Sequence, residues 1–178
     1  MVGGGAPESG VSSQLRVVPS IEPGADETAD LSVRIVQPLA RYLDEVYSTQ
    51  VAATALAEAG LEREASEDGS GWLSHERYEA FLSAARAVME DDDEFLAAAA
   101  YRYSDMAYGP LRFVLWAASP WAIYELGRRN IRLISNISTI ENERIAHNEF
   151  IHRYRSVRPE SPLSSMVRRA QTAAMPTL

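Results

Sequence analysis

The spacing of apolar residues changes near Asn130, and this change constrains the fold more than any other feature of the sequence. Across 31–130 apolar side chains recur every three or four residues, which is typical of helices that bury one face. After Asn130 apolar and polar residues alternate, which predicts strands at 134–141 and 144–154, joined as a hairpin by a turn at Asn142-Glu143. A lone hairpin is marginally stable in water, so we expect these strands to belong to a larger antiparallel sheet.

Residues 1–30 differ in composition from the rest of the chain. They contain Gly3-Gly4-Gly5 and several prolines and acids, and they offer too little apolar surface to offset the entropy of ordering. The remaining residues, 31–178, have the length of one domain. The sequence therefore predicts a disordered tail followed by a single helix-rich α+β domain.

Six to seven helices are predicted from caps, breakers and apolar periodicity. Serine is a good N-cap before an apolar stripe, and glycine after a stripe supplies the left-handed residue that ends a helix. Gly60 has this position after the second helix, whereas the charged stretch 62–71 lacks a hydrophobic period and predicts a flexible link. The predicted helices cover 38–47, about 50–59, 75 to the acidic run at 90–94, 95–106, 111–117, 120–127 and 162–174.

Several classes of catalytic and metal site need residue types that the chain lacks. It has no cysteine, which removes disulfides, thiolate metal sites and cysteine nucleophiles, and no lysine, which removes the phosphate-binding lysine of P-loop enzymes. The carboxylates at 90–94 are consecutive and diverge on a helix, and His147 and His152 are expected on opposite faces of a strand. We therefore expect neither a metal site nor a catalytic centre in this chain.

Charge is distributed unevenly along the chain. Residues 1–125 carry 8 arginines and 21 acids, a net charge of −13, whereas 126–178 carry 9 arginines and 4 acids, a net charge of +5. The acidic balance of the whole disfavours nucleic acid as a partner. The sequence shows neither a signal peptide nor an apolar run of about 20 residues, so we expect a cytoplasmic protein without a membrane span.

Aromatic residues are concentrated between positions 101 and 124. Their density predicts the apolar lining of a ligand pocket between helices, and ordinary core packing is the alternative. The candidate ligand-binding residues are Tyr101, Tyr103, Phe113, Trp116, Trp121 and Tyr124.

Arginines follow directly after this aromatic group. Arg128, Arg129 and Arg132 are candidates for binding an acidic partner or an anionic ligand, because guanidinium groups pair well with carboxylates and phosphates. The alternative is a solvated face that offsets the acidic first half.

Five short motifs occur in an order that resembles a known group of proteins: Glu58-Ala59-Gly60-Leu61, Gly71-Trp72-Leu73-Ser74, Ser119-Pro120 with Tyr124 and Asn130, Arg168-Arg169-Ala170-Gln171, and Met175-Pro176-Thr177-Leu178. Over roughly 38–178 the chain resembles the N-terminal sensory region of some bacterial adenylate or guanylate cyclases and sensor histidine kinases. That region is similar to the 4-vinyl-reductase and haem-NO-binding type of α+β domain, in which helices pack on a sheet beneath a ligand cavity.

The resemblance implies a non-catalytic input domain for signal transduction. Such a domain would bind a small apolar ligand or a partner protein and relay to a cyclase or kinase output domain in further sequence, and haem is a cofactor that the resemblance admits. The family often has a cysteine shortly before the Arg-Arg stretch, where this chain has Ser164, Ser165 and Met166, so no cysteine-dependent cofactor is expected. Because the family continues past Pro-Thr-Leu into more strands, we expect this chain to be the front part of a longer sensor.

Two alternatives remain open at this point. One is a structural module that forms a homodimer through helices or through an exposed hairpin edge. The other is the ligand-binding region of an AraC-type transcription regulator, which the chain resembles in its Ala59-Gly60-Leu61 helix end and in the serine-capped helix that follows.

Overall fold

The computed structural model describes residues 28–103, 118–146 and 149–174. Within these ranges the chain forms seven α-helices and two small antiparallel sheets, which confirms the predicted α+β class. Five helices precede the second range, namely α1 (Gln37–Tyr42), α2 (Thr49–Glu58), α3 (Arg63–Asp68), α4 (His75–Ala87) and α5 (Asp92–Ala100). The later elements are α6 (Pro120–Asn130), β3 (Ser138–Ala146), β4 (Glu149–Ser156) and α7 (Pro162–Ala173), and the short strands β1 (Leu31–Ser32) and β2 (Trp72–Leu73) pair with each other.

Serine begins four of these helices, as the sequence predicts for each. The side chains of Ser48, Ser74, Ser119 and Ser161 each accept a hydrogen bond from the backbone N–H three residues further on. Such caps satisfy an N–H group that has no partner inside the helix. The starts of α2, α4, α6 and α7 are therefore determined by local sequence.

Other predicted boundaries are wrong. The stretch 62–71 is not a flexible link, because it contains helix α3, whose Arg63 Nε bonds Glu67 Oε1 at 2.6 Å. Helix α5 ends at Ala100 rather than at 106, and Arg102 has a left-handed φ of 47°. The predicted helix at 111–117 lies outside the described residues.

The main core is formed by α1, α2, α4, α5 and α7. Phe81 and Phe95 are fully buried at its centre, and they are surrounded by leucines of α1, α2 and α4. Alanine supplies many of the other core side chains, and Ala85 and Ala98 are likewise fully buried. Small side chains let helices approach closely, so the alanine content of the sequence is used for packing.

The hairpin formed by β3 and β4 confirms the predicted change of period but not the predicted turn. Asn142 and Glu143 lie inside β3, where they pair with His152 and Ile151, and the chain reverses between Ala146 and Glu149. Among the described residues this sheet contains two strands. The larger sheet therefore stays a prediction.

Residues 29–33 join the helical core to the hairpin region. Leu31 pairs with Leu73 of β2 and also forms a bridge with Ser135, just ahead of β3. Asp30 is buried, with 5% of its surface exposed, so the predicted disordered tail does not extend to residue 30. Of that predicted tail, residues 1–27 lie outside the described ranges.

Candidate functional site

Helix α6 lies against one face of the hairpin, and aromatic side chains form the contact. The rings of Trp121 and Tyr124 lie 5.9 and 4.8 Å from the ring of Phe150, and Tyr124 is 5.0 Å from His152. Trp121 and Tyr124 are one helical turn apart and so project from one side of α6. Phe150 and His152 are two residues apart and so share one face of β4.

A shallow groove of about 360 Å³ runs along α6 beside this cluster. Its lining combines the indole of Trp121 and the side chain of Leu126 with the charged groups of Glu125 and Arg129. The lining of the groove is therefore mixed, with apolar side chains and one charge of each sign.

A chain of hydrogen bonds connects the charged side of α6 to the hairpin. Arg128 binds both carboxylate oxygens of Glu125, which also accepts a bond of 3.1 Å from the side-chain amide of Asn142. The Oδ1 atom of Asn142 lies 2.8 Å from Nδ1 of His152. Because the amide nitrogen of Asn142 donates to Glu125, Oδ1 is the acceptor and Nδ1 of His152 is the donor.

Glu125 and His152, two members of this hydrogen-bonded chain, have pKa values below their usual ranges. The hydrogen bond from Arg128 holds the pKa of Glu125 below its usual value. Burial lowers the pKa of His152, and the positive charge of Arg168 lowers it further. Near neutral pH the site therefore contains an ionised Glu125 and a neutral His152.

The hairpin is connected in turn to α7. The Arg168 guanidinium lies 4.9 Å from the ring centre of Tyr154, and it also forms two bonds of 3.0 Å with Glu160. The hydroxyl of Tyr154 lies 2.5 Å from Ser138 Oγ, which is fully buried. Cation–π contact and ion pairing together fix Arg168 between the hairpin and the start of α7.

The predicted aromatic residues do not all come together. Trp121 and Tyr124 belong to the α6 cluster, whereas Tyr101 packs edge-to-face on Tyr42 at 5.4 Å and donates to Glu45. Tyr103 is half-buried at the end of the first described range. The remaining two candidates, Phe113 and Trp116, lie outside the described residues.

The predicted arginines have different partners. Arg128 is held by Glu125, and Arg132 donates to the backbone oxygen of Asn136 at 2.9 Å. Arg129 is exposed, with 73% of its side chain accessible and Glu125 at 4.0 Å. Of the three, Arg129 lines the groove.

Three residues of this site, Phe150, Asn142 and His152, were not predicted from the sequence as site residues. The signal for two of them was present, because period-two alternation places Phe150 and His152 on one strand face. Asn142 was assigned to a turn on its polarity, whereas its polarity serves the bonds to Glu125 and His152.

Comparison with models of known protein families, with curated proteins and with solved structures gives no match. The resemblance to sensory regions of cyclases and kinases therefore stays a prediction from the motifs. Within the described residues no three histidine or acidic side chains are placed to hold a metal ion. The described helices are all too short or too polar to cross a membrane.

Proposed function

We propose that this chain is a non-catalytic regulatory input domain whose ligand site is the α6 groove. The single observation that carries the proposal is the groove itself, which places Trp121 and Leu126 beside the exposed Arg129. Apolar surface with few convergent polar groups is the usual composition of a small-molecule site. The ligand is a small apolar molecule, and a negative group on it would pair with Arg129.

The contacts behind the groove support a relay to α7. Trp121 and Tyr124 pack on Phe150 of β4. His152 and Tyr154 follow Phe150 on the same face of β4, and the ring of Tyr154 contacts Arg168 of α7. A ligand that binds one arrangement of these rings better than another shifts the population toward it. Helix α7 is thereby the element that passes the change on to an output domain of cyclase or kinase type, in a cytoplasmic signalling protein.

Binding of the anionic dye 8-anilino-1-naphthalenesulfonate tests the groove. We expect saturable binding to the folded chain, with quenching of tryptophan fluorescence. Leu126→Asp replaces an apolar lining residue by a charge and should weaken binding by about tenfold, which corresponds to about 1.4 kcal/mol. Arg129→Glu should weaken binding of this dye but not of an uncharged dye such as Nile red.

A second surface depression supplies the matched control. It lies between α2 and α4 and includes Val51 and the exposed Val88. Val88→Asp adds the same charge to a comparable apolar surface and should leave dye affinity unchanged, with circular dichroism confirming that each variant is folded. Equal affinity of the Leu126 and Val88 variants, or binding that does not saturate, would contradict the proposal.

A further inference from the structure

The hairpin has an outer face that points away from α6 and α7. Its inner face carries Phe150, His152 and Tyr154, which contact the two helices. Because side chains alternate along a strand, the residues between them point outward. The outer face consists of Thr139, Glu141 and Glu143 on β3, Ala146 beyond a shift of register, and Glu149, Ile151, Arg153, Arg155 and, just past the strand, Val157 on the β4 side.

Charge on this outer face is sorted by strand. The charged positions of β3 are Glu141 and Glu143, and the neighbouring positions of β4 are Arg153 and Arg155, with Glu149 of β4 farther along at the reversal. Diagonal ion pairs join the rows, with Arg153 to Glu143 at 2.6 Å and Arg155 to Glu141 at 3.3 Å. All four side chains remain between 42% and 67% exposed, so each keeps polar atoms free for a further partner.

Exposed apolar residues stand at both ends of the charged rows. Val157 is 80% exposed at the open end of the hairpin, and Ile145 is 54% exposed near the reversal. A charged ladder by itself would explain a solvated face, but it does not explain two large aliphatic side chains in water. Exposed aliphatic groups around a patterned patch are typical of an interaction surface.

We propose that the outer face of the hairpin binds the same face of a second copy of this chain. A twofold axis parallel to the strands places the β3 row of one copy over the β4 row of the other. The glutamate row of each copy then faces the arginine row of its partner, so the dimer contains two such contacts. The exposed Val157 side chains of the two copies then lie next to each other at the open ends. This proposal is independent of the α6 groove, which lies on the opposite side of the hairpin.

The charge pattern favours a second copy over other partners. The outer face carries three glutamates and two arginines, a net charge of −1, so it lacks the excess positive charge that nucleic acid would require. Pairing of two copies through the β3 edges would instead bring the glutamates of both copies together. Charge complementarity is therefore best when the two outer faces stack.

The dimer is expected to be weak. Strands of 9 and 8 residues form the face. At about 3.3 Å per residue the face is roughly 27 Å long and about 10 Å wide, or on the order of 300 Å² per copy. A stable interface buries about 1,000 Å² or more in total, so we expect reversible association that weakens as salt is added.

Sedimentation velocity of the full chain and three variants tests the proposal. The wild type should show a sedimentation coefficient that rises between about 10 μM and about 1 mM and falls back in high salt. The variants E141R/E143R and R153E/R155E, in which positions 141, 143, 153 and 155 all carry one sign of charge, should each remain monomeric. Mixed in equal amounts they should form a heterodimer.

The fourfold variant E141R/E143R/R153E/R155E is the matched control. It exchanges the two rows, keeps the ion pairs within each hairpin, and should dimerise like the wild type. If a one-sign variant fails to fold, Val157→Asp on the wild type replaces it and should weaken association at least tenfold. A wild type that stays monomeric at every concentration, or a dimer unaffected by Val157→Asp and by salt, would overturn the proposal.

Discussion

Two glycines end helices in the left-handed conformation, but only one of them was predictable as a helix end. Gly60 has a φ of 62° and follows α2, an alanine-rich helix whose apolar periodicity stops just before this glycine. Gly69 has a φ of 63° and follows α3, whose sequence has no apolar period. Gln37 from α1 stabilises α3 by donating to the backbone oxygens of Ser66 and Glu67 at 2.6 and 3.3 Å. A contact between residues so distant in sequence is invisible in local periodicity.

Alanine substitutions at two glycines should have opposite effects on stability. Gly60→Ala forces a Cβ into the left-handed region and should lower the free energy of unfolding by about 1–2 kcal/mol. Gly127 lies inside α6 with open space around it, so Gly127→Ala should raise that free energy by about 0.5–1 kcal/mol. Urea denaturation of both variants measures the difference, and effects of the same sign would contradict the assigned conformations.

At the scale of secondary-structure elements, the sequence predicted the presence of helices and strands more accurately than the residues at which they end. The serine caps are local and placed α2, α4, α6 and α7 correctly. The hairpin was predicted from alternation, but the turn was assigned to Asn142-Glu143 because both residues are polar. Asn142 is polar for its bonds to α6, and Glu143 for its ion pair with Arg153. The partners that explain these residues lie on other elements.

The contact between α6 and the hairpin should weaken in mild acid. Burial and the charge of Arg168 lower the pKa of His152 in the folded state. The unfolded chain therefore binds more protons once the pH falls below the ordinary histidine value of about 6.5, and the free energy of unfolding falls with it. We expect the wild type to lose this contribution between pH 7 and 5.

The variant His152→Gln isolates this contribution. Glutamine can still donate to Asn142 but does not titrate, so its free energy of unfolding should fall less over the same pH range. The stability difference between wild type and variant, measured by urea denaturation at each pH, should decline as the pH drops and be constant above neutrality. A difference independent of pH would contradict the shifted pKa.

At the scale of the whole molecule, residues 28–33 unite the helical core and the hairpin region. Asp30 N–H donates to Leu73 and Ser32 N–H donates to Ile134, at 3.1 and 2.8 Å. Composition predicted a tail over residues 1–30, because the sequence of this segment contains few large apolar residues. Residues 28–30 are instead held by hydrogen bonds of the backbone and of the Asp30 carboxylate. Amino-acid composition does not reveal such bonds.

Replacing Asp30 should destabilise the whole molecule. Its carboxylate accepts from the backbone N–H of His75 at 3.1 Å and lies 3.6 Å from Nε of Arg158. Loss of a hydrogen bond to a buried charged group costs about 1.5–3 kcal/mol, so Asp30→Ala should lower the free energy of unfolding by that amount. Asp30→Asn keeps an acceptor for His75 and should cost less. Chemical denaturation compares them, and equal effects of the two variants would contradict the role given to this carboxylate.

The placement of residues 28–33 also has a mechanical consequence. Their hydrogen bonds run to Leu73 on one side and to Ile134 and Asn136 on the other. Tension applied along the chain from the N-terminal side would load the bonds on both sides together, in shear, rather than opening them one after another. A force strong enough to extract these residues would therefore break their bonds to β2 and to residues 134–136 in one step.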